Sequence, residues 1–305
     1  MQTDLLLQEL GLRRALITGC VRDSGRHLPA LFRNIELLRT LFEQSDVLLL
    51  ENDSRDDTVA AIRAYAAEAK AVHALGFPGL AEQIPIKTVR LAHLRNTALA
   101  WQQQRGGWSD LDVLVVLDCD SVNADPWDLQ AYSDVLGWWW QQPDGGGLFA
   151  NQEGPYYDLW ALRHPQQSPD DVWAAIAQLH GQRPDLTDPQ LLEAVYAPRQ
   201  FTLDPAAAPL AVQSAFGGLG FYRASWLQRV QPRYCGEQPL AWDGPEGRRW
   251  WRWQCCEHVS FNQALSHSGA KLWIHPRLIN WNTRRLQQQG GLRPNPSGWR
   301  HLPVC

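Results

Sequence analysis

Several things are scarce or missing in this chain of 305 residues, and each absence narrows what it does. There is no CxxC pair, so a cysteine-based structural zinc site has no support. The six cysteines are scattered apart from Cys255-Cys256, and a reducing compartment argues against disulfides. There is no long basic run, and the net charge is −4 with a pI near 6.1, so nucleic acid is not an implied partner. No apolar stretch is long enough to span a bilayer. The opening "MQTDLLLQEL" carries acids and no basic segment, so a secretory leader is not expected. The expected location is therefore the cytoplasm, either free or at the membrane periphery. No internal repeat stands out. Methionine occurs once, whereas tryptophan occurs sixteen times. That large amphipathic ring suits both cores and binding clefts.

What is present alternates. "RALITGC" (14–20), "DVLLLE" (46–51) and "LDVLVVLD" (111–118) are apolar runs that predict strands, and "IPIKTVR" (84–90) predicts a weaker third strand between them. Residues 28–44, 56–71 and 91–104 have helical spacing, with Pro29 suited to a first turn. Continuous apolar strands separated by helices predict an α/β fold, a mostly parallel sheet flanked by helices. The second half is less regular. It offers a strand at 145–152, two short helices within 169–196, a loop at 197–211, and a Trp-rich loop. A helix over "CCEHVSFNQALSHSG", capped by Gly269, precedes one or two strands in "KLWIHPRLINW". We expect one domain over residues 1–305, with 14–150 as the ligand-binding half, 151–281 as an elaborated second half, and 282–305 as a tail.

Parallel sheets bind ligands where their strands end. Three predicted strand exits carry polar, mostly acidic residues: Arg22 and Asp23, then Glu51, Asn52, Asp53 and Ser54, then Asp118 and Asp120. In the second exit, Asp53-Ser54 and Asp57-Thr58 offer helix caps, while a carboxylate there also suits a base or ribose. In the third, Asp118 and Asp120 point to the same side of an extended chain. Two like charges so placed repel unless a cation compensates, and a hard divalent ion with oxygen ligands is the natural partner. Asp125-Pro126 predicts the start of the next helix. Gly217, Gly218 and Gly220 permit close backbone approach to a ligand, or alternatively a bulged strand. Glu257 at a helix start is either a tuned general base or an ordinary dipole-satisfying acid. His275 is either a metal ligand or a strand-end histidine, and His258 is its rival.

The order of these motifs — a first strand, "ENDSRDDT", "HLRNTAL", "VLDCDS" — resembles the GT-A glycosyltransferases, which use nucleotide-sugar donors. With "YYDLWALR" (156–163), the chain looks most like the capsule-associated fungal α-1,3-mannosyltransferase family and its bacterial relatives, over roughly residues 14–281. The resemblance implies a metal-dependent hexosyltransferase, with Mn2+ or Mg2+ as cofactor and GDP-mannose, or a UDP-sugar, as donor. The acceptor would be a hydroxyl of a glycan or small molecule. It further implies that Arg22, Glu51, Asp53 and Arg95 contact the donor. Asp118 and Asp120 would hold the metal, with His275 completing the site. Gly217 and Gly218 would line the donor–acceptor junction, and Glu257 and His258 would occupy the catalytic position. The chain departs from the family in having Glu257-His258 where an acid pair is usual. Two other functions fit part of the pattern. A sugar-1-phosphate nucleotidyltransferase would want a denser glycine run and a lysine after the first strand. A glycan-binding module would use the tryptophans but would not need Asp118, Asp120 and Glu257 together.

Overall fold

The computed structural model describes residues 14–244 and 247–284. Its centre is an eight-stranded sheet. Strands β1 (Arg14–Val21), β2 (Gln44–Glu51), β3 (Val72–Gly76) and β4 (Val113–Asp118) are mutually parallel. The sheet continues through β5 (Gly145–Gln152), β6 (Leu210–Val212), β7 (Leu219–Arg223) and β10 (Lys271–Trp281), in the order β3-β2-β1-β4-β7-β5-β10-β6. β7 runs antiparallel to both neighbours, and β6 is antiparallel to β10, so six strands share one direction and two oppose it. The register aligns the exits. Cys20 lies opposite Leu50 and Asp118, and Val21 lies opposite Glu51. The polar segments after β1, β2 and β4 therefore gather along one edge.

Alternation along each strand sorts the side chains into two cores. Leu16, Leu48, Leu114 and Val116 face one way, against helices α4 (Lys87–Arg105), α8 (Ala224–Val230) and α9 (Glu257–His267). Ile17, Val47, Leu49 and Val115 face the other, against α1 (Leu28–Arg39), α2 (Thr58–Glu68) and α5 (Leu129–Trp140). Each fully buried Leu or Ile contributes about 1.5–3 kcal/mol by leaving water. Helices α3 (Leu80–Gln83), α6 (Val172–Gln182) and α7 (Asp188–Leu191) complete the set. None of the helices among the described residues is long and apolar enough to cross a membrane.

Three expectations need correcting. The third strand is not residues 84–90 but β3, a short edge strand. Ile84 ends α3, Ile86 caps α4 in an extended conformation, and Lys87–Arg90 are already helical. The helix is favoured there because Thr88 is buried and donates to the Gly236 carbonyl at 2.6 Å. Asp125 does not cap the next helix. Asp128 does so, accepting from the Ala131 N–H, while Asp125 accepts from the Asn282 N–H at 3.0 Å. Trp127 stacks on Tyr132 at 5.1 Å and is buried, which shifts the helix start. The Trp-rich segment is not a loop but a two-stranded hairpin, β8 (Glu237–Gly244) and β9 (Gly247–Gln254). Trp253 packs inward against Ala174 and Ala177 of α6, whereas Trp250 is 66% exposed. "KLWIHPRLINW", expected as one or two strands, is one strand with register shifts. Most of the expected tail, 285–305, lies outside the described residues.

Candidate active site at the carboxyl edge of the sheet

Two clusters form along the aligned exits. The outer one joins the ends of β1 and β2. Asp53 has a left-handed backbone (φ +55), and its carboxylate accepts the N–H groups of Gly79 and Ala81 at 2.5 and 2.7 Å. The amide of Asn52, then these backbone donors, and lastly the nearby Arg22, hold it below the usual carboxylate range. Glu51 accepts the Ser54 N–H at 2.8 Å. Asp56 binds both the Thr58 N–H and the Gly25 N–H, so it ties the loops after β1 and β2 together. Of the acids matched to the nucleoside, Asp53 is thus engaged in building the loop between β3 and α3.

The inner cluster joins β4, α4, β7 and α9. Arg95 is 4% exposed and bridges two acids: its Nε donates to Glu257 Oε1 at 3.0 Å, and its Nη2 donates to Asp118 Oδ1 at 3.1 Å. Phe216 and Tyr234 pack over the guanidinium at 5.2 and 5.9 Å. Glu257 is as buried as Arg95, whereas the Asp118 side chain is 33% exposed. Burial pushes the Asp118 carboxyl up to about 7. Arg95 opposes the shift, while Asp120, Glu257 and Asp158 add to it. Asp120 is exposed, and one of its oxygens accepts the Val122 N–H at 3.0 Å. It therefore caps a 3-10 turn while staying open to solvent.

Gly217 and Gly218 form the floor beside Asp118. Their φ values are +64 and +82, a region that glycine enters without steric cost. The Gly218 carbonyl accepts the Asp118 N–H at 2.8 Å, which locks the turn to the end of β4. Three buried amides clamp the turn. Asn280 and Gln152 donate to the Gly217 carbonyl, Asn123 donates to the Gly218 and Asp118 carbonyls, and Asn280 also donates to Asn123.

The sequence reading missed four contributors. Asp158 accepts the Gly217 N–H at 3.0 Å and the Ala161 N–H at 3.2 Å, and burial raises it to about 6. A Cβ built on Gly218 would lie 3.1 Å from the Tyr157 hydroxyl, so Tyr157 shares this wall. Tyr234 and Asn123 complete the surroundings of Arg95 and the turn. "YYDLWALR" was a usable signal for the first two; no local signal marks the others.

His275 lies apart from the inner cluster, whereas His258 lies within it. His275 packs on Trp138 at 5.0 Å, its Nδ1 accepts the Arg277 N–H, and burial and then Arg277 lower its pKa to about 4. It is not brought to Asp118 and Asp120. His258 stacks on Phe216 at 3.6 Å, with Nε2 3.7 Å from Glu257. Burial, and then Arg95, hold it neutral. Among the described residues no three His, Cys, Asp or Glu side chains converge on a metal position. The donor set still fits a hard cation. Such ions are commonly held by one or two carboxylates, with phosphate oxygens and waters filling the remaining positions. Asp118, one-third exposed, and Asp120, exposed, are two carboxylates of that kind.

Sheet and site together define an α/β protein with an acidic cluster at the carboxyl edge of a mostly parallel sheet. No family model matches the chain, and no curated protein matches it. Some solved structures are similar in their course. The mannosyltransferase PcManGT from Pyrobaculum calidifontis, in complex with GDP-Man and Mn2+, is 13% identical with a TM-score of 0.45; the match covers 97% of this chain and 72% of that one. The glucosyl-3-phosphoglycerate synthase from Mycobacterium tuberculosis, in complex with Mg2+ and uridine-diphosphate, is also 13% identical at a TM-score of 0.45, over 94% and 78% of the two chains. TarS 1-349 of S. aureus is 10% identical with a TM-score of 0.46, over 88% of this chain and 60% of that one. These are likenesses of chain course, and the fold assignment rests on the strand order itself.

Proposed function

We propose that the protein is a metal-dependent glycosyltransferase that moves a hexose from a nucleoside diphosphate sugar to a hydroxyl of a glycan or small molecule. The observation that carries this reading is the Asp118–Asp120 pair, which is open to solvent beside a glycine turn and is backed by a buried Arg95–Glu257 pair. Mannose from GDP-mannose is the donor suggested by the sequence resemblance, with a UDP-sugar as the other. A cation held by Asp118 and Asp120 would neutralise the diphosphate as it departs. The bare turn at Gly217-Gly218 lets the sugar approach the backbone. Glu257 is tied to Arg95 and buried, so in this reading it orients Arg95. Asp158, less buried than Glu257 and held by two backbone N–H groups, is the carboxylate assigned to the acceptor hydroxyl. Residues 14–150 are proposed as the donor half and 151–281 as the acceptor half.

Titration calorimetry with GDP, UDP and ADP, each with and without Mn2+, tests the reading. The expected result is nucleotide binding that needs Mn2+, prefers one base, and is lost in Asp120→Ala. Binding that is indifferent to both the metal and Asp120 would refute it. A product-mass screen of GDP- and UDP-sugars would then identify the donor.

A further inference from the structure

Arg95 has a third nitrogen that neither carboxylate uses. The Nε–Nη2 edge of its guanidinium serves Glu257 and Asp118, and Nη1 has no hydrogen-bond partner within the protein although it is buried. Besides the ring nitrogens of His258, two other buried polar atoms nearby share that condition, the Thr18 Oγ1 and the Tyr234 hydroxyl. Arg95, Thr18 and Tyr234 line one small cavity of about 10 Å³, together with Gly19, Cys20, Leu99 and Val116. The cavity lies between β1 and α4.

A buried donor without an acceptor is costly, and native interiors avoid it. Three such atoms around one void match what an internal water requires, namely two to four polar partners and room for about one probe sphere. The volume excludes anything larger, including a halide with its contact shell. The hydrogen-bond inventory closes as well. Water accepts from Arg95 Nη1 and from the Tyr234 O–H, and donates to Thr18 Oγ1. Cys20 does not compete as a charged group, because burial pushes its thiol up to about 11.

We propose that this cavity is a hydration site for one ordered water, and that Tyr234 and Thr18 act through that water as positioning residues for Arg95. With Nη1 held from behind, the guanidinium cannot swing to satisfy one acid at the expense of the other. Asp118 then stays open to solvent, and Glu257 stays paired. A lysine at position 95 gathers its three donors on one nitrogen and lacks the planar fork that spans these separated partners. The site is detected without any nucleotide, so it stands or falls separately from the glycosyltransferase reading.

The test is a crystal structure of the full chain at a resolution that shows waters, paired with NMR of the arginine side-chain N–H groups. The wild-type map should hold one water within about 3.2 Å of Arg95 Nη1, Thr18 Oγ1 and the Tyr234 hydroxyl. The Arg95 Nη protons should appear as resolved, slowly rotating signals. In Tyr234→Phe, and more strongly in Tyr234→Phe/Thr18→Val, those signals should broaden or merge, and Mn2+-dependent GDP or UDP affinity should fall by about threefold to tenfold. A wild-type map with no density there would overturn the proposal. So would Arg95 signals and a guanidinium pose unchanged in Tyr234→Phe. The wild-type measurements need no variant to fold.

Discussion

Arg95 is the residue on which the site turns, since one buried cation answers two acids from distant parts of the chain. Replacing it with methionine leaves Glu257 uncompensated in the interior, and breaking a buried pair in this way costs about 3–5 kcal/mol. Chemical denaturation of Arg95→Met should show that loss, and Arg95→Lys should recover only part of it. Asp118 makes a prediction of opposite sign. Its folded-state pKa of about 7 lies above the ordinary carboxylate value, so the folded chain holds a proton that the unfolded chain releases. That contribution to stability is fully present below about pH 4 and is lost as pH rises through about 7. With the side chain one-third exposed, solvent screening limits the effect to about 1 kcal/mol. The metal-free protein should therefore melt at a higher temperature at pH 5.5 than at pH 8, insofar as Asp118 governs the difference. Asp118→Asn should flatten that slope, and a slope unchanged in the variant would contradict the assignment.

At the scale of elements, the glycine turn before β7 matters most. A Cβ at Gly218 would meet Val122 Cγ1 at 2.4 Å, and its φ of +82 strains any other residue. Gly218→Ala should cost about 1–3 kcal/mol. It should also weaken nucleotide binding, because the Gly218 carbonyl fixes the end of β4. A variant that loses stability but binds Mn2+ and nucleotide normally would separate the turn from the site. This element was partly legible. The glycines and Asp118 stand out in the sequence, but their joining through Asn123, Gln152 and Asn280 does not. Buried amides in "LINW" or "GGLFANQ" look like ordinary strand residues until the topology sets β5, β7 and β10 side by side.

For the molecule as a whole, the proposed donor should stabilise the fold by mass action. A nucleotide at a hundred times its dissociation constant adds about 2.7 kcal/mol. In a chain of this size that raises the melting temperature by roughly 5 °C. Differential scanning fluorimetry should show the rise with GDP or UDP only when Mn2+ is present, and it should vanish in Asp120→Ala. An equal shift without metal would point to a different mode of binding.

The sequence by itself determined the α/β class, most strands and helices, and the set of polar strand exits. These follow from local hydrophobic periodicity and need no partner. It misplaced β3 because that strand is short, half exposed and adjoined by an alanine-rich helix, whereas "IPIKTVR" has stronger strand chemistry. Only the tertiary structure decided which exits meet. It set Glu257 beside Asp118 through Arg95, across 162 and 23 residues of chain, and it placed His275 against Trp138 instead. It also made Asp158 part of the site. The physical reason is that a side chain's role here depends on strand order and register. Those are settled by packing two cores against one sheet, and no short stretch of sequence contains that information.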